Sequence, residues 1–177
     1  MELNLEEARE GPVDLSHCFS FDLERLERPE VVSLAPVEFR GRLTSSEVGF
    51  VVTGSVRFSG SIACSRCLTP VNFEGEEPVS WVFSPEPEPK GATLQDEVLL
   101  NRDDFDIVHY REPRIFFDPF IEEELQLEIP LKPLCGESCK GICPACGADR
   151  NNTECGCAVE EDSRWGALKV LTQKKGR

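Results

Sequence analysis

The chain has very little histidine: His17 and His109 are its only imidazoles, and it has one methionine, one tyrosine and two tryptophans. That scarcity removes the His-based zinc hydrolase motifs. Glycine-rich phosphate loops and serine-centred nucleophile elbows are also absent, which removes the nucleotide-hydrolase and α/β-hydrolase classes. No run of about 18 or more apolar residues exists, so no membrane-spanning helix is expected. Met1 to Glu10 is acidic and broken by charges, so a secretory leader is not expected and the expected compartment is the cytoplasm. Positive charge is short as well. Nineteen basic side chains face 33 acidic ones, for a net charge of -14. Simple docking on a phosphate backbone is therefore disfavoured, and basic partners such as ribosomal proteins are favoured.

The length of 177 residues fits one domain with a small appendage and a real core. Val37, Phe39, Gly41 and Leu43 alternate with polar neighbours, which is strand periodicity. Val48, Phe50, Val52, Gly54, Val56, Phe58, Gly60, Ile62 and Cys64 then all occupy even positions. They predict one long bent strand or a hairpin turning near Thr53-Gly54-Ser55. Two further strands are predicted, around Val71 and Phe73 and around Val79, Trp81 and Phe83. The segment from Leu15 to Leu34 reads as a short strand or loop entry. Ser84-Pro-Glu-Pro-Glu-Pro-Lys90 begins an acidic, proline-rich loop, about 84–113, with extended backbone. From Glu86 to Glu128 there are 13 acidic and 4 basic side chains, so -9 of the -14 lies there. Asp118-Pro119 predicts a helix start with Asp118 as the cap. Leu125, Leu127, Ile129 and Leu131 then switch to period two, as if a strand began. Trp165, Leu168 and Leu171 predict a short terminal amphipathic helix. The predicted class is α+β: an antiparallel sheet, open or barrel-like, with a few helices. Residues 1–134 form the sheet body and 135–177 a cysteine-rich, zinc-binding segment.

Nine cysteines are present. In a cytoplasmic protein, closely spaced pairs read as metal ligands or redox thiols more often than as disulfides. Cys64-Ser-Arg-Cys67 and Cys143-Pro-Ala-Cys146-Gly147 each put two sulfurs on one tight turn, half of a tetrahedral zinc site. Cys155-Gly-Cys157 could complete the site begun by Cys143 and Cys146. Cys135 and Cys139 could then join Cys64 and Cys67 across a long sequence gap. Other pairings among the six clustered cysteines remain open, as does a count of one or two zinc ions. Four-thiolate closure leaves no open position for substrate, so the zinc is expected to be structural. The competing chemistry is a dithiol at Cys143 and Cys146, but no βαβ context supports it. His17-Cys18 is a nucleophile pair by adjacency alone, since strand neighbours face opposite ways. Arg66, Lys140 and Arg150 flank the proposed ligands and are the candidate partner contacts.

These segments also carry a resemblance. Cys64-Ser-Arg-Cys67-Leu68, Phe117-Asp-Pro-Phe-Ile-Glu-Glu-Glu-Leu-Gln-Leu-Glu-Ile-Pro130 through Cys135, Cys139-Lys-Gly-Ile-Cys143-Pro-Ala-Cys146-Gly-Ala-Asp-Arg-Asn151, Cys155-Gly-Cys157 and Asp162-Ser-Arg164-Trp-Gly-Ala-Leu168 occur in that order. From about Val37 onward the chain resembles the YceD-like family (domain of unknown function 177). The family's usual Asp-Pro-Arg is Asp162-Ser163-Arg164 here, and some members lack part of the C-terminal cysteine set. The resemblance implies a bacterial or plastid-type protein needed for accumulation of large-subunit ribosomal RNA, with no catalytic residue to carry over. The expected function is non-enzymatic, zinc-binding support of large-subunit biogenesis, with the rRNA precursor or a ribosomal protein as partner. A zinc-ribbon adaptor of the transcription machinery and a thiol redox protein are the alternatives.

Overall fold

A computed structural model describes residues 1–24, 26–86, 107–157 and 164. By internal contacts it divides into two units: Met1–Ile62 with Val71–Leu131, and Ala63–Pro70 with Lys132–Arg177.

The first unit is built on alternation. Strands β1 (Glu2–Asn4), β2 (Val13–Phe19), β3 (Val31–Leu34), β4 (Val37–Ser46), β5 (Gly49–Ala63), β6 (Pro70–Pro85), β7 (Ile107–Tyr110) and β8 (Arg114–Phe116) are followed by one helix, α1 (Asp118–Glu128). A 3-10 turn, Leu5–Arg9, follows β1. Six strands form one sheet in the order β2-β4-β5-β6-β7, with β3 also on β5. β3 and β4 lie along successive stretches of β5: Leu34 pairs Gly60, and Glu38 pairs Arg57. β1 and β8 make a separate antiparallel pair.

The even positions of β5 do face the core. Phe50, Val52, Val56, Phe58 and Ile62 are all buried. β5 is one strand of 15 residues, with no turn at Gly54. The reversal comes earlier, across Glu47 and Val48, where Ser46 pairs Gly49. Gly54 stays in the strand because it pairs with Gly41 beneath the ring of Phe39. A Cβ on Gly54 would lie 2.4 Å from the Arg40 carbonyl oxygen and 2.9 Å from that ring. The glycine therefore serves close approach within a strand.

Three other expectations are corrected. The sheet is mixed, because β7 runs parallel to β6, with Val82 opposite Ile107. The two strands expected between Val71 and Phe83 are one, β6. Pro78 lies outside the Val82–Pro85 stretch that pairs β7, so no pairing with β7 is lost there. Finally, α1 continues through Leu125 and Leu127, where a strand was expected. Ile121 and Leu125 lie one helical turn apart and both are buried, so the 3.6-residue period outweighs the apparent period of two. Phe117 takes the cap position, and Asp118 and Pro119 open the first turn.

β2 and β7 are the sheet edges, and no pairing among the described residues joins them into a closed barrel. Phe117 anchors the core: its ring lies 5.1 Å from both Phe39 and Trp81 and 5.8 Å from Phe120. The acidic loop expected over about 84–113 gives way to strand at Ser84 and Pro85 in β6 and at Ile107–Tyr110 in β7, while its middle, 87–106, and the terminal helix expected around Trp165, Leu168 and Leu171 fall outside the described residues.

Candidate functional site

Among the described residues, the second unit contains little apolar core and eight thiols. Its organising feature is a turn used twice. In Cys64-Ser-Arg-Cys67-Leu68 the Leu68 amide donates to the Cys64 carbonyl, and the Cys64 amide donates to the Thr69 carbonyl, both at 2.9 Å. In Cys143-Pro-Ala-Cys146-Gly147 the Gly147 amide donates to the Cys143 carbonyl, and the Cys143 amide to the Ala148 carbonyl, both at 2.8 Å. The residue after the second cysteine is left-handed in each, with φ of 63° at Leu68 and 73° at Gly147. Such a turn aims backbone N–H groups at the two sulfurs. The second follows from Gly147 in the sequence; the first needs a leucine in a conformation that glycine adopts freely.

Each turn meets a second cysteine pair. Cys64, Cys67, Cys135 and Cys139 form one group and Cys143, Cys146, Cys155 and Cys157 the other, with all sulfurs of a group within 4.8 Å of one another. Sulfurs around a tetrahedral zinc at about 2.3 Å lie roughly 3.8 Å apart. Cys64 and Cys139 are 3.9 Å apart, and Cys67 and Cys135 are 3.5 Å apart. A disulfide would need about 2.05 Å, and every cysteine here is a free thiol. The donor set fits a soft tetrahedral metal. Both groups could hold one ion each.

The thiols are electrostatically unequal. Burial pushes Cys64 up, but backbone amides of Arg66, Cys67 and Cys135 hold its pKa down at about 6. The amides of Cys146 and Ala145 do the same for Cys143, also at about 6. Cys139 is lowered, first by the Asn151 side chain. Cys135 is pushed up to about 12 by Cys139 and Cys67, and Cys157 to about 12 by Cys146. Within each group some thiolates are favoured and their neighbours are penalised by the charge already there. A dication among them would remove that penalty. The two groups differ in cover: Cys64, Cys67 and Cys139 are buried in the first, whereas only Cys143 is in the second.

Of the flanking cations, Arg66 is exposed but its guanidinium is engaged, donating to the Cys139 carbonyl at 2.9 Å and the Glu137 carbonyl at 3.4 Å. Lys140 and Arg150 are exposed. Asn151, which closes the Cys139–Asn151 segment of the resemblance, donates to Cys139 Sγ. The Asp149-Arg-Asn-Asn152 run immediately after the second turn was the available signal. Cys18 is exposed in β2 and belongs to neither group; it lines an open groove of about 880 Å³ with Glu38, Arg57, Phe58, Glu74 and Glu76. The groove's one cation, Arg57, is already paired with Glu76 at 2.7 Å.

Family comparison matches residues 52–172, more than half the chain, to the large ribosomal RNA subunit accumulation protein YceD. The chain belongs to the YceD family. That description names accumulation of an RNA and no reaction. The match takes in both cysteine groups and leaves out β1 to β4. Relatives include an uncharacterized Mycobacterium tuberculosis protein, 29% identical over 128 residues, covering 72% of this chain and 58% of the relative. Another is the chloroplastic YCED homolog 1 of Zea mays, a large ribosomal RNA subunit accumulation protein. It is 30% identical over 161 residues, covering 80% of this chain and 53% of the relative. The chain thus spans little more than half the length of these curated relatives. No solved structure matches it. No helix among the described residues is long and apolar enough to cross a membrane.

Proposed function

We propose that this chain is a non-enzymatic zinc-binding factor that supports large ribosomal subunit biogenesis, acting in the cytoplasm on accumulation of large-subunit rRNA. The observation that carries the zinc reading is the resolution of eight thiols into two four-sulfur groups at metal-binding separations. Cys64, Cys67, Cys135 and Cys139 would hold one ion, and Cys143, Cys146, Cys155 and Cys157 the other. Zinc supplies a cross-link here: four thiolates complete its coordination, so it stabilises the cysteine-rich segment, 135–177, without activating water. Family membership and the acidic balance support the ribosomal assignment, because a net charge of -14 suits a basic ribosomal protein better than bare phosphate. Arg66, Lys140 and Arg150, exposed beside the ligands, are the proposed contacts to partner or rRNA precursor.

Depletion of the protein in its own organism tests this. Large-subunit rRNA should fall relative to small-subunit rRNA. The wild-type gene should restore the ratio, while Cys64→Ser and Lys140→Glu/Arg150→Glu should restore it poorly. An unchanged ratio on depletion would remove the ribosomal assignment.

A further inference from the structure

The two cysteine groups are neighbours in sequence. Only Lys140, Gly141 and Ile142 separate Cys139 of the first from Cys143 of the second. The loop between Cys146 and Cys155 folds back on this linker. Ile142 and Asp149 form an isolated bridge, and the Arg150 amide donates to the Gly141 carbonyl at 2.9 Å. Asn151, at the centre of that loop, reaches the other group. Its Oδ1 accepts from the Lys140 amide at 2.8 Å, and its Nδ2 donates to Cys139 Sγ at 3.5 Å and to Asp149 Oδ1 at 2.8 Å.

The orientation of that amide is fixed by its partners. The Lys140 amide can only donate, so the Asn151 oxygen must face it, and the NH₂ group must then face the sulfur and the carboxylate. Asp149 in turn accepts from the Asn151 amide at 2.9 Å and from Asn152 Nδ2 at 2.8 Å. The loop carrying Asn151 is thus bounded at both ends by ligands of the second group, while its side chain supplies a hydrogen bond to a ligand of the first.

We propose that Asn151 is a positioning residue that couples the two metal sites, so that occupation of the Cys143/Cys146/Cys155/Cys157 site tightens metal binding at the Cys64/Cys67/Cys135/Cys139 site, and the reverse. This rests on the zinc reading above. An ion in the second site holds the 146–155 loop in place and with it the donor on Cys139. That donor stabilises the thiolate and orients it. Loss of an outer-shell hydrogen bond of this kind lowers metal affinity about 10–100-fold. Coupling through one bond acts equally in both directions.

Asn151→Ala and Asn152→Ala separate coupling from loop stability, because both remove an amide from Asp149 but only Asn151 touches Cys139. Asn151→Asp keeps the acceptor for Lys140 and removes the donors, as a second variant that preserves side-chain shape. Each zinc-loaded protein is challenged with a chromophoric zinc chelator in the presence of an alkylating agent, and modification is read cysteine by cysteine by mass spectrometry. Modification of Cys64, Cys67, Cys135 and Cys139 should be about tenfold faster in both Asn151 variants than in Asn152→Ala. In Cys146→Ser/Cys157→Ser, with the second site broken, the first group should be exposed at a similarly raised rate. Equal rates at the first group for Asn151→Ala and Asn152→Ala, in protein that starts with two zinc ions, would overturn the coupling and leave the zinc reading intact. A wild type that purifies and reconstitutes without zinc would overturn both.

Discussion

Leu68→Gly tests the geometry of the cysteine turns most sharply. Leu68 and Gly147 hold equivalent places in two turns with the same hydrogen bonds, yet only one is a glycine. A left-handed leucine costs roughly 1–2 kcal/mol. Leu68 is 62% exposed, so removing its side chain forfeits little packing. Glycine returns about 0.4–1 kcal/mol of that gain through the greater freedom of the unfolded chain. The net expectation is a stabilisation of about 0.5–1 kcal/mol. If opening is fast relative to modification, Cys64 and Cys67 should then be alkylated about 2–5-fold more slowly under mild urea. The converse change, Gly147→Leu, meets nothing within 4 Å at its Cβ, so its effect should be the backbone cost less the same unfolded-chain term. Cys143 and Cys146 should become reactive roughly 2–5-fold faster. Faster alkylation of Cys64 in Leu68→Gly would refute the reasoning, because the leucine side chain would then stabilise the turn by more than its conformation costs.

Phe117→Ala empties a fully buried site against Phe39, Trp81 and Phe120 and should cost about 3–5 kcal/mol in urea unfolding followed by circular dichroism, with zinc content unchanged; a loss below about 1 kcal/mol would contradict the packing described. Gly54→Ala forces a methyl to within 2.4 Å of a backbone oxygen and should destabilise by about 1–3 kcal/mol in the same assay. Arg28 donates to the Pro130 carbonyl at 3.1 Å and to the Gln126 carbonyl at 3.5 Å, so Arg28→Ala should cost about 1.5 kcal/mol, whereas Arg28→Lys should recover only part of it. Glu124 has its pKa raised by burial and by the nearby charges of Glu128 and Glu77. Its ionised form is therefore the less stable one in the fold, so stability attached to this group is complete below the usual carboxylate range and is lost as pH rises through the raised value. Glu124→Gln should be more stable than wild type at pH 7 by roughly 0.2–0.5 kcal/mol, with the gain vanishing near pH 3; a gain that persisted at pH 3 would contradict the cause assigned.

The cysteine groupings were partly legible because two-residue spacing in Cys64/Cys67 and Cys143/Cys146 is a local constraint that a turn must satisfy. Which pair joins which turn was legible only as one of several open pairings, since Cys135 and Cys139 lie some 70 residues from Cys64 and Cys67 in sequence. Strand β5 could be read from its even positions, because one buried face imposes a period of two on the side chains. The glycines in that strand misled: Gly54 looks like a turn residue until the ring of Phe39 is seen against it. The parallel pairing of β6 with β7 was not legible, because Ile107–Tyr110 lies inside a stretch that reads as an acidic, proline-rich loop. Leu125 and Leu127 show the limit of short patterns, since two leucines two apart fit a strand or a helix until the burial of Ile121 and Leu125 decides it. Asn151 was invisible for a different reason, as its role depends on a sulfur twelve residues back in the chain.

The central claim is that two separate groups of four sulfurs each hold a zinc ion. Elemental analysis of the purified protein beside Cys64→Ser and Cys146→Ser tests it directly. Two zinc ions per wild-type chain and one in each variant are predicted. A zinc count unchanged by Cys64→Ser, or a single ion in the wild type lost in both variants, would contradict it.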